Sequence, residues 1–418
     1  MKKLKFTFIF FFCASFCYAQ FVLPSTKSIE KKQSLVYDLD INNINSYAGS
    51  GNTKVYNINN STNQLDYSSI FPIAGVPSYN TSLRNLNVKY LTFNAANSQY
   101  IITPGLKNKF NAINGSTFSN AFTINIWISF PTTTSNGIIL GELGTSQINT
   151  NWHDAQIEIQ NGTLYFNLWP YTNTSINISN KIQPNVWYML SMVYDGQNLK
   201  AFIDGNQVGN TSSFARNAPY NYGNDLYYCL ACQDGTYLNA GGYGNFNLVK
   251  FQLYNIPLNA NDLIGLYNNQ KASIPSLFSP NVASYWYATS VWDNNAFNSP
   301  DQNNSSYYHY TPWIDSQQGW SPGSTNLTDY IYIKLDFAKN VTGIVTQGRV
   351  NAAQWVTQGK VEYSLNGTNW YLINTFNMNS DQNTKVYNYF SSPVYAQYIR
   401  VTPTLYSGFP SMRLGLLY

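Results

Sequence analysis

The chain has 418 residues, of which 44% are hydrophobic, 17% aromatic and only 10% charged, with 23 Lys and Arg against 19 Asp and Glu. That length exceeds what one hydrophobic core usually serves, so two domains are expected. The near balance of charge, with no basic run longer than Lys31-Lys32 beyond the N-terminus, excludes a nucleic-acid partner met by a clustered basic face.

The first residues read as a secretory leader. Lys2, Lys3 and Lys5 form a positive start, residues 6–12 an apolar middle, and Cys17-Tyr18-Ala19 a cleavage site before Gln20. This pattern is too short to span a membrane, and no later stretch approaches the roughly 20 apolar residues that a span needs. Phe16 stands where lipidation of Cys17 would call for a small residue. Cleavage after Ala19 and secretion into the extracellular space are therefore expected. The mature chain then keeps 20 basic residues against 19 acidic ones.

Residues 20–270 form the first expected domain. Residues 121–130 alternate apolar and polar with period two, as do 155–159, 163–168, 187–194 and 199–204. Asn161-Gly162, Asp195-Gly196 and Asp204-Gly205 fall between such runs and supply the positive φ of hairpin turns. Evenly spaced strands without helical periods predict an all-β sandwich. The one helical candidate is 259–268, with Asn259 or Asn261 as its cap. Residues 271–280, with two prolines and three serines, read as a linker. A second, smaller all-β domain is expected over 281–418, where six of the ten Trp residues fall. Its strand-like runs are 330–337, 341–347, 358–364, 370–376, 397–403 and 414–417, with Asn366-Gly367 as a hairpin turn. The sequence ends at Tyr418, where the last strand is expected to close, so no C-terminal anchor is expected.

Two cysteines remain after the leader, Cys229 and Cys232. Three positions apart on an extended strand, they point to opposite faces and sit too far apart to bond, so two buried thiols are expected. A lone C-x-x-C with only His153 and His309 in the chain does not make a metal site.

Residues 35–40 and 46–51, then Leu91-Thr92-Phe93-Asn94, Trp127, residues 187–196 and 199–205, and 249–258 with Leu263 occur in the order of the laminin-G-like, concanavalin A-type jelly rolls. The first domain resembles that family, whose ligands vary widely. The second domain resembles the discoidin, or factor V/VIII type C (galactose-binding-like), domains. Residues 313–322, Val341-Thr342-Gly343-Ile344, Gln347-Gly348-Arg349, residues 354–357, Gly367-Thr368-Asn369-Trp370, residues 396–403 and Met412-Arg413-Leu414 carry this resemblance. The cysteine pair that ties the two ends in many animal members is missing, so packing alone must close the domain.

Some concanavalin-type jelly rolls are glycosidases, so catalysis has to be weighed. Glycoside hydrolysis needs two carboxylates about 5 to 9.5 Å apart. The chain has only Glu30, Glu142, Glu158 and Glu362, none close in sequence to another. The nearest acid cluster, His153-Asp154 with Glu158, is too widely spaced along an extended strand. No G-x-S-x-G, P-loop or metal-binding His pair occurs. A catalytic motif is not found, and a non-catalytic protein is expected.

In the discoidin family, three loops at one end of the sandwich meet the ligand. Here they correspond to residues 285–297, where Trp292-Asp293 occupies the place of an exposed aromatic spike, 349–355, where Arg349 is the loop-base arginine, and 405–410, which offers Tyr406 and Phe409. Aromatic rings stack on apolar sugar faces, and a guanidinium donates to hydroxyl or carboxylate oxygens. Trp320, Trp355 and Trp370 are expected to pack internally. In the first domain, Trp152-His153, Trp169-Pro170-Tyr171 and Tyr220-Asn221-Tyr222 are fainter aromatic leads. No cofactor is expected; a structural calcium at the rim would draw on Asp293, Asp301 and Asp315.

The leader implies a secreted, extracellular protein, the missing catalytic motif a non-catalytic one, and the resemblance one that binds a glycan or glycoprotein, with a cell surface as a further partner. The discoidin-like loops carry the site, and the first domain is a second binder or a spacer. The alternatives are a polysaccharide hydrolase or lyase with a targeting module, and a surface protein that binds collagen-like protein or lipid.

Overall fold

The computed structural model describes residues 34–418 apart from 53, 60–69, 75–76, 85, 107–120, 133–135, 144–152, 169–175, 180–181, 214–226 and 233–241. Of residues 70–74 and 153–155 only the backbone is described. The expected leader, and the aromatic leads Trp152-His153, Trp169-Pro170-Tyr171 and Tyr220-Asn221-Tyr222, lie outside the described side chains.

The fold is all-β. In the N-terminal part, two eight-stranded antiparallel sheets face each other. One runs in the order Asn206–Ser213, Asn198–Ile203, Tyr188–Asp195, Ala121–Ser129, Phe246–Tyr254, Leu86–Phe93 and Ser78–Leu83, and Leu35–Asp40 pairs with Phe246–Tyr254. The other is centred on His153–Gln160, Gly137–Leu143 and Tyr227–Leu230. The alternation along Ala121–Ser129 explains both of its faces. Phe122, Ile124, Ile126 and Ile128 enter the core between the sheets, whereas Trp127 points outward and is covered by the helix Ala260–Lys271. The Trp127 ring stacks on Tyr267 of that helix, with centroids 5.4 Å apart. Asn259 caps the helix, accepting from the Asp262 amide while the Asp262 carboxylate accepts from the Asn259 amide, a reciprocal capping box. Asn161-Gly162 and Asp204-Gly205 adopt positive φ at both positions, as their hairpin turns require.

Two expectations are corrected here. Cys229 and Cys232 are joined in a disulfide, their Cα atoms 5.4 Å apart. The strand Tyr227–Leu230 stops before the second cysteine, and Ala231 takes φ +66°. That left-handed residue turns the chain back and removes the opposite-face geometry of a continuous strand. The stretch 271–280 is also less of a linker than its prolines and serines suggest. Leu277–Phe278 pairs with the final strand Arg413–Leu417, and Ser276 and Tyr418 exchange backbone hydrogen bonds of 2.7 and 3.1 Å. The bulk of Leu277 and Phe278 outweighs their polar neighbours, and both are buried. This pairing ties the ends of the second sandwich together without a disulfide.

That second sandwich orders its strands Leu277–Phe278, Arg413–Leu417, Ile331–Gln347, Val386–Ser407, Trp355–Ser364 and Tyr371–Asn377, with Trp286–Ala288 on Ile331–Gln347. Its two longest strands, of 17 and 22 residues, pair with register breaks between Lys334 and Lys339 and between Val341 and Gly343. Breaks of this kind bend a strand and let it serve both layers of a sandwich. Trp320, Ile333, Val361, Ile399 and Met412 fill the space between.

The two sandwiches share buried contacts. Lys339 of the second forms an ion pair with Asp204 of the first, the side chains being 7% and 0% exposed. Arg84 Nη1 donates to the Leu277 carbonyl at 3.1 Å, and Leu86 packs with Leu277, Ile314, Val345 and Leu417.

Candidate functional site

At one end of the second sandwich the loops form an open cavity of about 330 Å³, lined by Trp292, Asp301, Asn304, Tyr307, His309, Ser321, Arg349, Gln354 and Phe409. Trp292 opens a single 3-10 turn, Trp292–Asn294, in which Asp293 and Asn294 take φ of +53° and +50°. Its amide donates to the Ser321 carbonyl at 2.9 Å, so the ring is held at the rim with 40% of its surface exposed. Phe409 braces it edge to face at 5.4 Å.

The rest of the lining is largely polar, and the His309 ring lies 6.2 Å from that of Trp292. The Asp301 amide donates to the Tyr307 carbonyl at 2.7 Å, which closes the 301–307 loop. The Asp301 carboxylate accepts from the Asn303 amide at 2.7 Å and lies 3.2 Å from His309 Nε2. A carboxylate accepts, so this contact assigns the proton of neutral His309 to Nε2. The bond from the Asn303 amide holds the Asp301 carboxyl below the usual carboxylate range, and the bond from His309 adds to that. Burial lowers the pKa of His309, and the Arg349 charge lowers it further; Asp301 and Asp293 pull the other way without reversing it. The imidazole lies parallel to Tyr307, with centroids 6.4 Å apart.

Arg349 is 5% exposed. Its Nε donates to Gln318 Oε1 and its Nη1 to Gln354 Oε1, both at 2.9 Å, and the guanidinium lies 5.3 Å from the centre of the Tyr307 ring. Ser321 and Ser411 share a hydroxyl hydrogen bond at 2.8 Å, and Ser411 also donates to Gln354 Oε1 at 3.3 Å. One polar network thus joins four loops behind the cavity.

Of the expected site residues, Trp292, Arg349 and Phe409 line the cavity together. Asp293 is exposed beside it and acts on His309 only through its charge. Tyr406 is not part of the lining: it sits at the end of Val386–Ser407, paired with Val356, and is 36% exposed. Trp320 is fully buried, as expected, and its Nε1 donates to the Ser290 carbonyl. The lining residues Asn304, Tyr307, His309, Ser321 and Gln354 went unmarked as binders in the sequence; the rare His309 beside Tyr307 was the one signal available.

Asp315, a candidate calcium ligand, is instead paired with Lys385 at 2.7 Å. Among the described residues, no group of three or more His, Cys, Asp and Glu side chains converges as a metal centre. In the first sandwich, Glu142 accepts from Gln156 Nε2 at 2.7 Å and Glu158 from Asn167 Nδ2 at 3.3 Å. Among the described residues no helix is long and apolar enough to cross a membrane.

Residues 284–415 match the family model of the F5/8 type C domain, and residues 96–263 that of the concanavalin A-like lectin/glucanases superfamily. Discoidin-2 of Dictyostelium discoideum is 33% identical over 106 residues, covering 25% of this chain and 41% of its own. Lactadherin of Rattus norvegicus is 30% identical over 181 residues, 40% of this chain and 39% of its own. Retinoschisin of Takifugu rubripes is 32% identical over 144 residues, 28% of this chain and 50% of its own. The chain therefore spans half or less of the length of these relatives. The structure of wild-type discoidin II from Dictyostelium discoideum aligns with a TM-score of 0.26 at 28% identity, over 32% of this chain and 53% of that one.

Proposed function

We propose, for a chain that joins a concanavalin A-like domain to an F5/8 type C domain, that it is an extracellular, non-catalytic binding protein whose second domain takes a sugar unit of a neutral glycan. The observation that supports this is that one cavity of about 330 Å³ is lined both by the aromatic rings of Trp292 and Phe409 and by the polar side chains of Asp301, His309 and Arg349, with the His309 ring 6.2 Å from that of Trp292. A pyranose ring has an apolar C–H face that stacks on an aromatic ring and a rim of hydroxyls that both donate and accept. Asp301 supplies acceptors and Arg349 donors. With His309 neutral, the lining carries one carboxylate, Asp301, and one guanidinium, Arg349, not paired with each other, so neither sign dominates and a neutral sugar is favoured over an acidic one. The first domain acts as a second binder or as a spacer, and two weak sites on one chain gain avidity on a polymeric surface.

A hydrolase reading of the first domain would rest on His153-Asp154 with Glu158; Glu158 is already bonded to Asn167, and the side chains of His153 and Asp154 lie outside the described ones. A lipid surface would call for several basic residues at the rim, where the cavity lining holds Arg349 alone. A glycan array with the full chain beside its Trp292→Ala variant tests the proposal. Binding of neutral glycans by the wild type that the variant loses supports it. A blank array, or binding that survives in the variant, overturns it.

A further inference from the structure

Building on the glycan reading above, we infer that Gln318 and Gln354 are positioning residues that aim Arg349 into the cavity without neutralising it, so that its charge is left for ligand oxygens. The three arginines of the second domain differ in how they are held. Arg400 Nε donates to a carboxylate, Glu362 Oε2, at 2.7 Å. Arg413 donates through Nε to the Gly348 carbonyl, through Nη1 to the Ser316 carbonyl, and through Nη2 to the Gln382 carbonyl and Asn383 Oδ1. Arg349 is as deeply buried but is held only by the two amide oxygens, on Nε and Nη1. Among the described residues it has no ion-pair partner, and its Nη2 donates to no group.

Both amides have fixed orientations. Gln318 Nε2 donates to the Ser306 carbonyl at 3.2 Å, so Oε1 turns toward Arg349. Gln354 Oε1 accepts from Ser411 Oγ as well as from Arg349. A glutamate at 354 would accept the same bonds with a full negative charge and make a stronger, charge-assisted pair, whereas at 318 it would also give up the bond to the Ser306 carbonyl. The neutral side chain at 354 therefore gives up local stability while keeping the guanidinium in position. A bond from an unneutralised guanidinium to a sugar hydroxyl is stronger than one between neutral groups.

The test uses the full chain as wild type, Gln354→Glu and Gln354→Met, with D-galactose and D-glucose as the neutral probes. Thermal melting and NMR titration are read side by side. Gln354→Glu is expected to melt higher than wild type yet bind the sugar roughly five- to tenfold more weakly. Gln354→Met, which cannot accept, is expected to lose both stability and affinity. A merely structural glutamine would move the two readouts in the same direction. Wild-type binding with a Gln354→Glu variant that binds equally well, or that melts lower or fails to fold, overturns the positioning role alone. Failure of the wild type to bind either sugar overturns the glycan reading and this role with it.

Discussion

Trp292 and Phe409 meet edge to face, their ring centroids 5.4 Å apart and their planes at 89°. The contact bridges two loops far apart in the chain and leaves the Trp292 ring braced but 40% exposed. A braced ring forfeits little rotamer freedom when a ligand stacks on it.

Trp292→Ala should therefore reduce sugar affinity at least tenfold while shifting stability by less than about 1 kcal/mol, since the ring is half exposed. Phe409→Ala should cost about 0.5–1.5 kcal/mol of binding through loss of the brace. Tyr406→Ala, outside the cavity, should bind as wild type. Titration of the three variants against one glycan checks this order.

The pH response follows from His309. Burial first, and Arg349 next, pull its pKa below the ordinary 6.5. The unfolded chain takes up this proton near pH 6.5, whereas the folded site refuses it until lower pH. The unfolded state thus binds more protons in that window, and stability falls as the pH falls through it. The contribution is fully present above about 6.5 and is lost on acidification through the folded value. Melting temperatures from pH 7.5 to 5 should drop more steeply for wild type than for His309→Gln.

Lys339 and Asp204 pair across the boundary between the sandwiches, with both side chains buried. Asp204 Oδ1 also accepts from the Met189 amide at 2.8 Å, and Lys339 Nζ lies 4.6 Å from the Tyr418 ring centre. Lys339→Ala leaves a buried carboxylate without its cation, which should cost about 3–5 kcal/mol. The double variant Asp204→Asn/Lys339→Met should recover most of that loss. In calorimetry, wild type should unfold as one transition and Lys339→Ala as two.

Much of this architecture was legible in the sequence because strand alternation and turn chemistry are local. Asn161-Gly162 and Asp204-Gly205 marked their hairpins, and Asn259 marked its helix. The disulfide was not legible, since its geometry depends on Ala231 taking a conformation that a non-glycine residue rarely adopts. Nor was the strand pairing of Leu277–Phe278, whose partners lie at the other end of the domain. The same division runs through the site. Trp292, Arg349 and Phe409 followed from loop position, whereas Asp301, Tyr307 and His309 are brought beside them by a loop whose course is set by long-range bonds such as that from the His309 amide to Asn295 Oδ1.

Chelation gives a further prediction. Asp301 is engaged by the Asn303 amide and His309, and Asp315 by Lys385, so two of the three rim carboxylates considered for calcium are already bonded within the protein. We expect EDTA treatment to leave both melting temperature and glycan binding unchanged. A fall in either that added calcium reverses would establish a cation at the rim.

Gly408 precedes Phe409 and takes φ +69°, where side chains are strained. A Cβ added there would lie 2.2 Å from the Ala353 carbonyl oxygen. That oxygen belongs to backbone beside Gln354, so the clash can be relieved only by moving one loop away from the other. Gly408→Ala should destabilise the protein by at least about 1–2 kcal/mol and also weaken binding, because Phe409 leaves Trp292 and the hold of Gln354 on Arg349 is disturbed. Gly367→Ala is the matched control. Its φ is +76°, but the added Cβ would meet only the Tyr398 ring at 3.3 Å, in a turn that contributes nothing to the cavity. It should lower the melting temperature and leave affinity intact. If Gly408→Ala binds glycan as tightly as Gly367→Ala, the close approach of these two loops does not shape the site.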